Sequence, residues 1–146
     1  MTFHGDPLRG GVFLDTSGLY AALDRSADRH ASVAAALQQL MREAVPLLTT
    51  DAVVTEFHGL TLGRLGPAIA LDAVDRLLTS PRLRITATGP GAIRLAVHFI
   101  RTRPDRRLSL VDALSFAAMR DLGLATALAL DADFAAEGFA TLPPQP

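Results

Sequence analysis

Five short apolar runs, set apart by helical stretches, limit what this chain can fold into more than any other feature. The runs are GVFLD (Gly11–Asp15), PLLTT (Pro46–Thr50), LRITAT (Leu83–Thr88), LATALALD (Leu124–Asp131) and GFATL (Gly138–Leu142). Helical patterns fill Ser17–Asp24, Asp28–Glu43, Ala52–Leu65, Pro67–Thr79, Pro90–Arg103 and Leu110–Leu122. Strands that short and that apolar are buried on both faces, which points to an α/β protein with a parallel sheet covered by helices. The length of 146 residues suits a single domain over residues 1–146, with an ordered core of about 11–142 and loose ends at 1–9 and 143–146. No internal repeat or linker interrupts it.

Open parallel sheets bind ligands beyond the carboxyl ends of their strands. Asp15 closes the first run and Asp131 the fourth, so both fall on that edge. Three further acids join them. Glu56 is one of only three glutamates, and it falls within the stripe Val53–Phe57–Leu60 of a helix. An inward carboxylate there calls for a cation or an arginine partner. Asp112 follows Ser109 at the spacing of a capping box. Asp133 follows Asp131 in ALDADF, two acids where one helix cap needs a single one. Each acid taken alone also has a purely structural account, helix capping for the aspartates and an ion pair for Glu56. Together, Asp15, Glu56, Asp112 and Asp131 on one sheet edge, with Asp133 beside them, would repel strongly, and a hard divalent cation with oxygen ligands, magnesium or manganese, offsets this. Such a set suits phosphate chemistry.

Composition removes other chemistries. There is no cysteine, hence no disulfide, thiolate zinc site or cysteine nucleophile. All 14 basic residues are arginine, so P-loop and Schiff-base lysines are absent, as is the lysine of phospho-acceptor domains. Net charge is −1, without the global basicity of a strong nucleic-acid binder. No apolar run reaches the ~18 residues of a membrane span, and MTFHGDPLRGG does not read as a signal peptide. A cytoplasmic protein is expected.

The stretches FLDTSGLYAALDRSADRH, TTDAVVTEF, RLSLVDALSFAAMRDLGL and ALALDADF, in that order, resemble the PIN-domain family and within it the VapC-type ribonuclease toxins. The resemblance covers about Gly11 to Leu142. It implies a three-layer α/β/α sandwich around a five-stranded parallel sheet, and a magnesium- or manganese-dependent endoribonuclease that leaves 5′-phosphate and 3′-hydroxyl ends. By that resemblance Asp15, Glu56, Asp112 and Asp131 match the metal-binding, catalytic acids. Asp133 matches a more variable acidic position. Thr16 and Ser109 match hydroxyls that support the acids or the bound phosphate. The family further implies RNA as substrate, a homodimer, and a small antitoxin protein covering the acidic crevice with a basic side chain. The stretch ALAL before Asp131 departs from relatives that carry a hydroxyl nearby.

Arg101, Arg103, Arg106 and Arg107, just ahead of Ser109, form either a solvated loop or a rim of RNA contacts. His58 and His98 read as ordinary helix residues. The rival reading is a catalytically silent PIN-like RNA-binding or scaffolding module. A haloacid-dehalogenase phosphatase is disfavoured, because Ser17 stands where that chemistry needs a second aspartate.

Overall fold

The computed structural model describes residues 10–145; the expected loose ends at 1–9 and at 146 lie outside it. The elements run β1 (Val12–Leu14), α1 (Thr16–Leu23), α2 (His30–Arg42), β2 (Leu47–Thr50), α3 (Asp51–Leu65), α4 (Pro67–Thr79), β3 (Leu83–Thr86), α5 (Pro90–Arg101), α6 (Leu110–Asp121), β4 (Thr126–Leu128), α7 (Ala132–Ala136) and β5 (Ala140–Leu142). All five strands pair in parallel in the order β3-β2-β1-β4-β5. This is the α/β architecture expected from the alternating runs. Crossovers between parallel strands are right-handed, so the leftward steps β1→β2→β3 set α1–α4 on one face. The rightward steps β3→β4→β5 set α5–α7 on the other.

The central strands β1, β2 and β4 are buried throughout, as strands covered on both sides must be. Phe13, Phe116, Phe134 and Met119 fill the layer beneath α6 and α7, with Phe116 and Phe134 edge to face at 5.0 Å between centroids. Gly18 lets α1 lie directly on β4. A Cβ at this position would stand 2.3 Å from the Leu128 carbonyl oxygen, so no side chain is tolerated.

The neighbouring strands β1 and β4 send their outgoing connections to opposite sides of the sheet. A crevice opens at such a switch point, outside the carboxyl ends of the two strands. The end of the chain is anchored: Pro143 is buried, Arg29 Nη2 donates to the Pro144 carbonyl, and Gln145 Nε2 donates to the Leu130 carbonyl. Residues 143–145 are therefore part of the folded body rather than a loose end. Among the described residues no helix is long and apolar enough to cross a membrane.

Candidate metal centre

The switch-point crevice is built from β1 outwards. Asp15 directly follows β1 and is the N-cap of α1. Its backbone N–H donates to the Leu128 carbonyl at 3.1 Å, continuing the β1–β4 ladder. Its Oδ2 accepts from the Ser17 N–H (3.1 Å) and from the Ser17 hydroxyl (2.6 Å). That hydroxyl in turn accepts from the Leu130 N–H at 3.0 Å, so one oxygen joins the exits of β1 and β4. Asp15 is only 3% exposed. Burial pushes its carboxyl from 3.8 up to about 6; the two Ser17 bonds oppose the rise, and the negative charge of Asp112 adds to it.

Asp112 sits in the first turn of α6. The capping box is complete: the Asp112 N–H donates to Ser109 Oγ and the Ser109 N–H donates to Asp112 Oδ2, both at 3.0 Å. Asp131 follows β4 and caps α7, accepting from the Asp133 N–H at 2.9 Å. Burial raises the Asp131 carboxyl, and the charges of Asp112 and Asp133 raise it further. One carboxylate oxygen from each of Asp112, Asp131 and Asp133 falls within 4.8 Å of the others. Helix capping and a shared site are thus the same geometry, since each cap aims its carboxylate at the crevice.

Three clustered carboxylates with a fourth buried beside them fit a hard divalent cation: the donors are all oxygen, and the one arginine paired with them among the described residues, Arg106 at Asp133, offsets only part of their charge. The Thr16 hydroxyl, next to Asp15, is buried without a hydrogen-bond partner among the described residues. The Ser115 hydroxyl on α6 is a second such atom, so an unpartnered buried hydroxyl is not by itself a mark of the site.

A sequence model of the PIN domain matches residues 12–139. The chain belongs to the PIN-domain family. This PIN domain is 32% identical over 136 residues to the 23S rRNA-specific endonuclease VapC20 of two Mycobacterium tuberculosis strains, covering 92% of this chain and 99% of that protein. It superposes on the crystal structure of M. tuberculosis VapC20, described as a sarcin–ricin loop cleaving toxin, with a TM-score of 0.79 at 29% identity, over 89% of this chain and 97% of that one. VapBC2 of Rickettsia felis, bound to a promoter DNA fragment, shares the fold at a TM-score of 0.63 and 16% identity, over 89% and 96% of the two chains.

In this PIN domain Asp112, Asp131 and Asp133 come together at one edge, and Asp15 lies near enough for the charge of Asp112 to act on its carboxyl. Glu56 is half-buried on α3. Like Asp15 it is not one of the three acids whose oxygens fall within 4.8 Å of one another, and among the described residues no arginine pairs with it. The hydroxyl that supports Asp15 is that of Ser17; Thr16, the residue expected there, makes no such bond. Of the four arginines read as either a solvated loop or an RNA rim, two turn inward. Arg106 pairs with Glu137 and, at 3.0 Å, with Asp133, while Arg103 lies 3.5 Å from Glu137 and 3.5 Å above the Phe99 ring centroid. Arg101 and Arg107 are exposed.

The sequence did not reveal Glu137. Its side chain is 6% exposed and receives Arg103, Arg106 and Arg120, the last at 2.6 Å. Burial alone would raise its carboxyl, but Arg120 and Arg106 outweigh burial and hold it below the usual range. The only hint in the sequence was a lone glutamate after the ALDADF motif.

Proposed function

We propose that this PIN domain is a metal-dependent endoribonuclease and the toxin of a toxin–antitoxin pair, acting in the cytoplasm. The observation that carries the reading is the meeting of Asp112, Asp131 and Asp133 oxygens within 4.8 Å beside the buried Asp15. Asp15, Asp112 and Asp131 would hold magnesium or manganese. Asp133 stands next to them, and Glu56 is assigned by family position alone. A divalent cation there supplies an activated water and neutralises charge developing on phosphate oxygens. The protein's own part is to hold the carboxylates ionised and aligned: Ser17 does so for Asp15, Ser109 for Asp112, and the first turn of α7 for Asp131.

The RNA path is supported by a groove of about 580 Å³ that begins at Ser17 and Leu130 and is lined by Tyr20, Arg29 and Arg64. Arginine in such a groove neutralises phosphates and stacks on bases. The relatedness to an rRNA endonuclease, over nearly the full length of both chains, supports RNA as the substrate class. A homodimer and a small antitoxin account for apolar side chains left in solvent on α2–α4, among them Met41, Ile69, Leu71 and Leu78.

Asp112→Asn and Asp131→Asn test the reading. Each keeps shape and capping but removes charge. Each should abolish manganese-dependent cleavage of RNA while leaving the circular dichroism spectrum unchanged. Full cleavage by either variant, when EDTA silences the wild type, would overturn the assignment.

A further inference from the structure

The α7 end of the acid site already contains a cation belonging to the protein. Arg106 Nη2 lies 3.0 Å from Asp133 Oδ1, and Asp133 offers one of the three clustered carboxylate oxygens. The same guanidinium bonds Glu137 through Nη1. Both acids hold the arginine charged, and they raise its pKa above the ordinary value. We propose that Arg106 is the resident counter-ion of the acid site: it occupies Asp133 and competes there with the divalent cation. The inference rests on the metal-site reading given above.

Two effects of Arg106 on cation affinity oppose each other. As a positive charge beside the carboxylates it disfavours a dication. As a tie between the loop before α6 and the first turn of α7 it could instead favour one, by fixing the acids. The ion-pair network decides between them. Without Arg106, Glu137 retains Arg120 at 2.6 Å and Arg103 at 3.5 Å. Asp131 and Asp112 retain their capping bonds, which do not involve Arg106. The tie is therefore redundant and the charge is not, so removing Arg106 strengthens cation binding.

The advantage to the fold is that the cluster is assembled before any cation arrives. Three ionised carboxylates this close repel one another, and Arg106 offsets one of them at 27% exposure, where water screens it only in part.

The test is calorimetric titration of manganese chloride into the full chain and into Arg106→Gln, Arg106→Met and Arg106→Lys, with a melting curve for each. The Gln and Met variants should bind manganese at least about tenfold more tightly, the floor set by one unit charge beside a dication at the dielectric constant of water. The Lys variant, which keeps the charge, should bind within about twofold of wild type. Equal or weaker binding by both neutral variants, with melting curves still cooperative, overturns the proposal and leaves Arg106 as a structural tie. A wild-type chain that binds no manganese overturns the metal-site reading itself, a different outcome from wild-type binding that the variants leave unchanged.

Discussion

Asp15→Asn in the metal-free protein should make the fold more stable at pH 7, although it alters a buried helix cap. The wild-type carboxyl is 3% exposed and titrates at about 6 in place of 3.8. A displacement of about two pH units corresponds to about 3 kcal/mol. For an acid whose folded pKa is raised, the folded state binds the proton more tightly than the unfolded chain. Stability is then greatest below 3.8, falls as pH rises from about 4 to about 6, and levels off above that. Asparagine presents a neutral oxygen to the same Ser17 donors, so the cap weakens by at most about 1 kcal/mol. The net gain at pH 7 is about 2 kcal/mol, or about 6 °C in melting temperature for a chain of this length. Thermal melts of both proteins in EDTA from pH 4 to pH 8 provide the assay. The wild type should lose stability between pH 4 and 6, the variant should stay nearly flat there, and the gap should close at pH 4. A variant less stable than wild type at pH 7, with no pH dependence of the difference, would mean that Asp15 acts only as a cap. It would refute the electrostatic argument.

Two further outcomes follow from packing. Gly18→Ala should lower the melting temperature by more than 5 °C and weaken manganese binding, because its Cβ would enter the 2.3 Å space before the Leu128 carbonyl and lift α1 off β4; unchanged values would show that the contact relaxes freely. Glu137→Gln should cost about 1–2 kcal/mol by urea unfolding, less than a fully buried ion pair because Arg106 and Arg120 are 27% and 45% exposed. A neutral result would mean that water replaces the carboxylate without loss.

The acids that local pattern places on the sheet edge were legible in the sequence. Asp15 ends an apolar run, and Ser109 and Asp112 stand at capping-box spacing, so a few consecutive residues suffice to set their direction. Strand ends were harder to read. The fourth apolar run reads as strand to Asp131, yet β4 stops at Leu128. Beyond it the Leu130 N–H donates to the Ser17 hydroxyl rather than to a neighbouring strand, a partner 113 positions away. Glu137 escaped notice for the same reason, since its ion pair with Arg106 spans 31 positions. The Arg103–Arg107 run has the composition of an RNA rim. Its composition does not tell which guanidiniums turn inward to a carboxylate that becomes a neighbour only after folding.

The Ser17 hydroxyl has a consequence for how the site responds to binding. One oxygen holds the carboxylate at the end of β1 and the backbone leaving β4, so the two sides of the crevice cannot be ordered separately. The rotamer freedom that a cation or a phosphate would otherwise have to remove has already been lost during folding. Ligand binding at this crevice therefore meets a preorganised receptor, with the conformational entropy charged to the stability of the domain and not to its affinity.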